Sequence, residues 1–307
     1  MYNRMLVPLD GSELAEVVLV YAKELVGRLD LKVTFLYVCN PEEREPAPMH
    51  RDYVEGVAET VRRQSKEVQE KAGIETGGSA IEAHGELAVG NPAEEIIRYA
   101  YENNIDLIMM ATHGRSGIGR WAMGSVADKV LRSSKIPIWL VRAGISENIV
   151  YDKWPKKTIL VPLDGSKLAE SVLPHVEALA KQRDGDIVDI ILLRVCEYAV
   201  VPDDNARGVP SGWEKGVRRE IAGSKRESSK YLAEVEKRLE DADLRVQSEV
   251  LVGEPPKEII NHANGNPFSL IAMATHGRSG LKRLAYGSVA DKVLRGASCP
   301  LLVVRPS

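Results

Sequence analysis

Short apolar runs alternate with amphipathic stretches along the first half of the chain. The runs predict five strands, over residues 5–9, 32–38, 79–83, 107–111 and 136–141. Residues 107–111 are apolar at odd and even positions alike, which is typical of a strand that a sheet buries on both faces. Strands that alternate with helices indicate βαβ units, with parallel strands and right-handed crossovers.

Helix signals lie between these strands. Ser12 is a predicted N-cap for a helix whose apolar face carries Leu14, Val17, Val18, Tyr21 and Leu25. Asn91 and Pro92 predict another helix start, with asparagine as the cap and proline at the first helical position. Further helices are predicted over 52–72 and 125–132, and a loop is predicted over 41–48.

The chain repeats itself after about half of its length. Residues 7–12 recur at 161–166, and residues 110–117 and 124–132 recur at 273–280 and 287–295. Of the 23 positions over 110–132, 19 are identical in the second copy, whereas the predicted helix over 52–72 has almost no match. Packing alone would not favour the rim of a sheet over its core, so this distribution indicates a ligand site at the strand ends.

The repetition predicts a duplicated domain rather than a short-period solenoid. We expect one domain over 1–143, a linker over 144–157 and a second domain over 158–307, with strands over 158–163, 187–195, 245–252, 270–274 and 300–304. An open, doubly wound sheet holds its ligand at the carboxyl ends of strands, where strand order reverses. Asp10, Val38 and the loop after Ala111 all lie at the carboxyl ends of predicted strands, so we expect them to meet at this edge.

Composition argues against several function classes. The 307 residues carry a formal net charge of −3 and only 5% aromatic side chains, which argues against nucleic-acid binding. No apolar run is long enough to predict a membrane span, and the N-terminus lacks the pattern of a secretory signal. The cysteines, Cys39, Cys196 and Cys299, are sparse and odd in number, which favours reduced thiols in a cytoplasmic protein.

The segment from Gly114 to Ser125 is the strongest candidate for a ligand site. It begins just after a buried strand and ends, at Gly124 and Ser125, where a helix is predicted to start. Glycines let the backbone approach a ligand, and a helix N-terminus offers unpaired N–H groups and partial positive charge. This combination predicts an anion site, whose usual occupant in this fold class is a nucleotide phosphate. Ser125 can cap the helix and donate to phosphate, and Arg115 and Arg120 add charge. A plain turn before a helix is the alternative interpretation.

These motifs resemble those of tandem universal stress proteins. The resemblance is carried by residues 7–12, 111–117 and 124–130, by Pro137, and by their second copies. In the ATP-binding branch of that family the phosphate loop reads Gly-x2-Gly-x9-Gly-Ser/Thr. Both copies match at the last three positions and carry alanine, Ala111 or Ala274, at the first. The resemblance implies an α/β fold of two Rossmann-like, doubly wound domains, each a five-stranded parallel sheet with helices on both faces.

The resemblance also implies a function in the stress response, through binding of the adenine nucleotides ATP, ADP or AMP, with Mg²⁺ or Mn²⁺ carried on the phosphates. Asp10 and Asp164 would contact ribose or base, and Val38 and Val195 would meet adenine through backbone atoms. The implied contacts in the first half are Pro8, Leu9, Asp10, Val38, Ala111, Thr112, His113, Gly114, Arg115, Gly124, Ser125 and Val126. Those in the second half are Pro162, Leu163, Asp164, Val195, Ala274, Thr275, His276, Gly277, Arg278, Gly287, Ser288 and Val289.

Family members commonly pair through their last strand. The resemblance therefore implies that residues 136–141 and 300–304 pair inside one chain as a pseudo-dimer, and a homodimer of whole chains stays open as well. No nucleic-acid or membrane partner is expected, and the sequence does not identify a protein partner.

Two alternative functions stay open, a slow ATPase in which Asp10 orients a water molecule and a nucleotide-free interaction scaffold. The sequence has no P-loop Gly-x4-Gly-Lys-Ser/Thr, no Gly-x-Gly-x-x-Gly after the first strand and no Ser-His-Asp order with elbow glycines. No catalytic residue is assigned. His113 and His276 have no partner at metal-ligand spacing, so no metal site built by the protein is expected. Cys39 and Cys196 follow matching strands and are interpreted as buried or rim thiols.

Overall fold

The computed structural model describes residues 2–39, 48–74, 80–112, 123–142, 157–182, 188–197, 213–266, 270–275 and 287–306. The elements of the first half are β1 Arg4–Leu9, α1 Glu13–Glu16, α2 Leu19–Leu29, β2 Lys32–Cys39, α3 Pro48–Ala72, β3 Ala83–Val89, α4 Pro92–Glu102, β4 Leu107–Ala111, α5 Ser125–Ser133 and β5 Ile138–Val141. The second half repeats this order with β6 Lys157–Pro162, α6 Lys167–Glu170, α7 Leu173–Gln182, β7 Val188–Cys196, α8 Trp213–Glu240, β8 Arg245–Val252, α9 Pro255–Gly265, β9 Leu270–Ala274, α10 Ser288–Gly296 and β10 Leu301–Val304.

All ten of these strands form one sheet in the order β3-β2-β1-β4-β5-β10-β9-β6-β7-β8. Neighbouring strands are parallel within each half, and only the central pair, β5 and β10, is antiparallel. In each half the strand order reverses beside the first strand, between β1 and β4 and between β6 and β9. This is the doubly wound α/β arrangement predicted from the sequence, and the reversal points mark where a ligand crevice is expected.

Helices cover both faces of the sheet because its strands are apolar on both faces. One hydrophobic layer joins the sheet to α2, α3, α7 and α8 and includes Phe35 and Leu192. The opposite layer joins it to α4, α5, α9 and α10 and includes Leu36 and Leu193. Every residue of β4 and β9 is buried, which explains their uninterrupted apolar sequences. In the described part of the chain no helix has both the length and the apolar character needed to cross a membrane.

The third predicted strand is misplaced in the first half. The prediction over 79–83 is wrong, because β3 spans Ala83–Val89. β3 lies at an edge of the sheet, and its positions His84 and Val89 are exposed. An edge strand needs fewer apolar side chains than a central one, so its sequence pattern is weak.

The first predicted helix is divided into two. Ser12 is the N-cap as predicted, and its Oγ accepts a hydrogen bond from the backbone N–H of Ala15 at 3.2 Å. α1 then ends at Glu16, and α2 begins only at Leu19. The interruption falls on Val17 and Val18, and adjacent β-branched residues have low helix propensity.

The helix α3 begins earlier than predicted, at Pro48. Proline is well suited to the first helical turn.

The two halves meet at β5 and β10. Their antiparallel register sets Trp139 opposite Leu302, and both side chains are fully buried. The pairing within one chain that the resemblance implied is confirmed.

A second contact between the halves lies at the amino end of β1. The backbone of Tyr2 exchanges two hydrogen bonds with the Gln182 side chain of α7, at 2.8 and 2.7 Å. The Tyr2 hydroxyl lies 2.9 Å from Nδ1 of His175, whose pKa is lowered by burial.

Two arginines connect the halves crosswise. Arg142 follows β5 and donates through Nη1 to the carbonyl of Ala297, just after α10, at 3.2 Å. Arg305 follows β10 and donates to the carbonyl of Arg132, in the last turn of α5. Each arginine therefore places positive charge at the negative end of a helix dipole in the other half.

Removing both arginines should weaken this junction. We expect Arg142→Ala combined with Arg305→Ala to lower the free energy of unfolding by about 1 kcal/mol, since a cation at a helix C-terminus contributes a few tenths to 1 kcal/mol. Urea unfolding followed by circular dichroism measures the change. Arg245→Ala is the control, because Arg245 forms an exposed pair with Asp189 away from the junction. A double variant that unfolds at the urea concentration of the wild type would contradict the stabilising role.

Candidate functional site

The same backbone hydrogen bond joins β4 to α5 in the first half and β9 to α10 in the second half. The backbone N–H of Gly124 donates to the carbonyl of Thr112 at 2.7 Å, and Gly287 donates to Thr275 at the same distance. Each bond brings a helix start to the carboxyl end of a buried strand. Because the glycine amide is used in this way, the N–H groups that can bind an anion are those of the first turns of α5 and α10.

The expected capping role of Ser125 is corrected by this geometry. Gly124 occupies the N-cap position with extended backbone, no side chain caps the helix, and Ser125 is its first helical residue. Gly287 and Ser288 repeat the arrangement at α10. Glycine can occupy the N-cap position without a capping side chain. A serine at the first helical position is already part of the helix, so it is not the residue that caps it. Of the two roles expected for Ser125, only donation to a ligand stays a prediction.

Two carboxylates stand at the carboxyl ends of the first strands. Oδ1 of Asp10 accepts hydrogen bonds from the N–H and the hydroxyl of Ser12, at 3.0 and 2.6 Å. Oδ1 of Asp164 accepts from the N–H of Ser166 at 2.9 Å. Asx turns of this kind fix the carboxylate relative to its strand. The residue after Asp164 is Gly165, whose φ of +86° suits glycine.

Backbone hydrogen bonds define how Val195 faces the site. Along β7, the carbonyl of Leu193 accepts from Leu163 on the β6 side, and that of Cys196 accepts from Gly253 on the β8 side. Hydrogen-bonding directions alternate along a strand, so the N–H and C=O of Val195 point to the β6 side. β6 has already ended at that level. Val195 therefore presents one donor and one acceptor toward the edge of the sheet, as its expected contact with adenine requires.

A cavity of about 530 Å³ lies at this edge in the second half. Its volume falls within the range of roughly 300–1,000 Å³ that is typical of small-molecule sites. Of the residues predicted for the second half, it brings together Pro162, Leu163, Asp164, Val195, Ala274, Thr275, Gly287, Ser288 and Val289. The predicted His276, Gly277 and Arg278 lie outside the described residues.

The first half places its described site residues at matching elements. Pro8 and Leu9 end β1, Asp10 follows them, Val38 lies near the end of β2, Ala111 ends β4, and Thr112, Gly124, Ser125 and Val126 surround the start of α5. Both alanines that replace the first motif glycine, Ala111 and Ala274, are buried last residues of a strand. His113, Gly114, Arg115 and Arg120 lie outside the described residues.

The long helices α3 and α8 carry matching tyrosines that bind glutamates of α1 and α6. The hydroxyl of Tyr53 donates to Oε1 of Glu16 at 2.7 Å, and that of Tyr231 donates to Oε1 of Glu170 at 3.0 Å. Burial and the neighbouring glutamate raise the pKa of both tyrosines, so both hydroxyls stay protonated donors. Arg238 also donates to Oε2 of Glu170, at 2.7 Å. The tyrosine hydroxyls are thereby fixed to α1 and α6, the short helices that follow Asp10 and Asp164.

The side chains around these tyrosines differ between the halves. In the first half, Tyr37 stacks on His50 with ring centroids 4.5 Å apart, and Nδ1 of His50 lies 3.6 Å from Sγ of Cys39. In the second half, Ser228 holds the corresponding place beside a buried cysteine, with its Oγ 3.1 Å from Sγ of Cys196. Arg194 takes the strand position of Tyr37. Where the first half has the rings of Tyr37 and His50, the second half therefore has the guanidinium of Arg194 and the hydroxyl of Ser228.

Several residues that line the cavity were missed by the sequence analysis. They are Ala169, Leu193, Arg194, Cys196, Glu197, Ser224, Ser228, Pro255, Ile259, Met273 and Ala290. Arg194, Ser224 and Ser228, from β7 and α8, have no identical residue in the first copy, so the repeat does not mark them. Pro255 and Ile259 of α9 do repeat Pro92 and Ile96, a signal that was available in the sequence. A second signal was available, because Arg194 directly precedes the predicted contact Val195 in a strand that is otherwise apolar at its centre.

Within the described ranges, no group of three or more His, Cys, Asp and Glu side chains forms a metal site. The three cysteines are buried free thiols, in agreement with the interpretation of Cys39 and Cys196. Burial raises the pKa of Cys299 to about 12, which keeps this thiol protonated and unreactive.

Comparison with known proteins gives a consistent result for both halves. The sequence model of the Universal stress protein family matches residues 1–142 and 156–305. Universal stress protein MJ0531 of Methanocaldococcus jannaschii is 32% identical over 149 residues, which cover 48% of this chain and 82% of that protein. Universal stress protein Rv2005c of Mycobacterium tuberculosis is 22% identical over 306 residues, which cover 99% of this chain and 97% of that protein.

A solved structure extends the likeness to the whole fold. The crystal structure of a universal stress protein from Archaeoglobus fulgidus matches with a TM-score of 0.62 and 20% identity, covering 100% of both chains. At this level of identity the match supports the duplicated α/β architecture alone.

Proposed function

Because the chain belongs to the universal stress protein family, we propose that it binds adenine nucleotides, ATP, ADP or AMP, and acts as a regulator in the response to stress. Up to two sites are proposed, one in each of the domains 1–143 and 158–307. The observation that carries the proposal is the second-half cavity, which joins Asp164, Val195 and the start of α10 in one space. These three groups match the three parts of a nucleotide.

The proposed roles follow from the chemistry of each group. The N–H and C=O of Val195 pair with the acceptor and donor on the adenine edge. Asp164 accepts from a ribose hydroxyl, and the first-turn amides of α10 bind the phosphates with the hydroxyl of Ser288. Hydrogen bonds to charged groups contribute roughly 1.5–3 kcal/mol each. Two or three of them together with the buried base reach about −8 kcal/mol, which corresponds to micromolar affinity.

A regulatory role is proposed in preference to efficient catalysis. Asp164 is held by the N–H of Ser166 at 2.9 Å and faces the proposed ribose position, so it is badly placed to orient a water molecule at the γ-phosphate. A divalent cation is proposed to arrive bound to the phosphates, as Mg²⁺ commonly does. Free cysteines are consistent with a proposed cytoplasmic location.

Protein freshly purified from cells should release adenine nucleotide when it is denatured. Mass spectrometry of the extracted small molecules tests this, because micromolar or tighter sites retain part of their ligand. Isothermal titration calorimetry with ATP, ADP and AMP in the presence of Mg²⁺ should then give up to two sites per chain. Absence of binding heat for all three nucleotides would overturn the proposal. Phosphate release above that of a Gly124→Val, Gly287→Val double variant would add slow ATP hydrolysis to it.

A further inference from the structure

The pocket of the second half carries a fixed cation that the first half lacks at the matching position of its sequence. Arg194 lines the cavity between Leu193 and Val195. The corresponding residue of β2 is Tyr37, which precedes Val38 in the same way. The two proposed sites therefore share their phosphate-binding helix starts and their aspartates but differ on the side of the adenine and ribose.

The guanidinium of Arg194 lies between Tyr231 and Gly165. Its Cζ lies 5.0 Å from the ring centroid of Tyr231, a cation–π contact. Its Nη1 lies 3.0 Å from the point that a Cβ on Gly165 would occupy. Gly165 therefore leaves the room in which the guanidinium lies. Since Tyr231 is itself fixed by its hydrogen bond to Glu170, the cation is held in place before any ligand arrives.

The position of this cation determines what it can recognise. Gly165 directly follows Asp164, the proposed ribose contact, and Val195, the proposed adenine contact, directly follows Arg194. The guanidinium thus lies beside the residue that follows Asp164, on the proposed ribose side of the cavity. A planar guanidinium binds phosphate oxygens in a bidentate manner, and dinucleotide-binding folds use an arginine beside the ribose to accept a ribose phosphate.

The cavity also offers room beside this arginine. Ser224 and Ser228 of α8 line it. Ser228 lies beside Cys196 as the larger His50 lies beside Cys39 in the first half. A hydroxyl is a suitable second donor to a phosphate oxygen. Small side chains in the cavity that also holds this cation leave room for an additional anionic group.

We propose that the second-half pocket selects adenine nucleotides that carry a phosphate on the ribose, at the 2′ or the 3′ position, and that Arg194 binds this phosphate. The inference rests on the proposed nucleotide site and names its ligand class. Arg194 is a specificity-determining residue in this proposal, because the 5′-phosphate is bound at α10 in either case.

The test uses the full chain with Gly124→Val, which leaves the second-half site. Calorimetry compares AMP with adenosine 2′,5′-bisphosphate and adenosine 3′,5′-bisphosphate. We expect one of the bisphosphates to bind at least about tenfold more tightly than AMP, since a charge-assisted bidentate contact is added. Arg194→Tyr, which installs the first-half residue, should abolish this preference, and Arg194→Lys should retain part of it.

Controls separate specificity from a general loss of structure or of charge. Arg245→Tyr in the same chain should keep the preference, because Arg245 pairs with Asp189 at the opposite ends of the strands. A chain with Gly287→Val, whose first-half site carries Tyr37, should prefer bisphosphate less. Thermal unfolding establishes that each variant is folded.

Three results would overturn the proposal. These are equal binding of AMP and both bisphosphates, a preference that survives Arg194→Tyr, and the same preference in the first-half site. All three require that AMP binds, so the proposed nucleotide site would survive them. If wild-type protein binds neither AMP nor ATP, the proposed function fails together with this inference.

Discussion

Gly287→Val should remove nucleotide binding from the second half and halve the stoichiometry of a chain that fills both sites. Gly287 lines the cavity and is the N-cap of α10, and a Cβ at this position would lie 3.5 Å from the carbonyl of Thr275, an ordinary contact. The chain should therefore fold. The branched side chain would, however, crowd the first-turn amides. Loss of two charge-assisted bonds corresponds to about 3 kcal/mol, or roughly a hundredfold in affinity.

Calorimetry with ATP and Mg²⁺ measures this effect. Gly265→Val is the matched control, because a Cβ on Gly265, the last residue of α9, meets no atom within 4 Å. This control should keep the wild-type stoichiometry and midpoint of thermal unfolding. Gly124→Val should remove the other site, so that the two single variants bind one nucleotide each. Wild-type stoichiometry in the Gly287→Val chain would contradict the assignment of α10 to the phosphates.

The elements that sequence predicted best are those whose residues are buried on both sides. β4 and β9 have the predicted bounds, since every position of either strand faces a hydrophobic layer. β8 also has its predicted bounds, although it is an edge strand, because Arg245, Gln247 and Glu249 occupy one face of its first part while Val246 and Val250 lie on the other. The prediction of β3 was misplaced because the apolar pattern of this strand is short and adjoins a polar segment. Local patterning therefore locates strands that are buried on both faces, and edge strands only where polar and apolar residues alternate clearly.

The candidate site was predictable where the chain duplicates itself. Asp164, Thr275 and Gly287 belong to repeated motifs, and all three line the cavity. Arg194 and Ser228 do not repeat, and they enter the cavity because β7 and α8 pack together in space. Sequence comparison of the halves thus finds what both sites share. The features that distinguish them depend on tertiary packing between segments that have diverged.

Trp139→Ala should have the largest effect on stability among the substitutions considered. Trp139 is fully buried in β5, pairs with Met109 of β4, and lies opposite Leu302 of β10 at the junction of the halves. Replacing a buried tryptophan by alanine removes its transfer free energy and leaves a cavity, which costs about 3–5 kcal/mol. For a chain of this size the midpoint of thermal unfolding should fall by roughly 10 °C.

Because Trp139 lies at the junction of the halves, its substitution also tests whether the two halves unfold together. Circular dichroism in urea measures the free energy of unfolding without relying on tryptophan fluorescence, to which Trp139 is one of four contributors. Met49→Ala is the control, because Met49 is 69% exposed and its loss should change stability by less than about 0.5 kcal/mol. Since β5 and β10 join ten strands in one sheet, Trp139→Ala should weaken both halves at once. A variant that loses only the first-half transition, with the second half unfolding as in the wild type, would mean that the halves fold independently despite their shared strands.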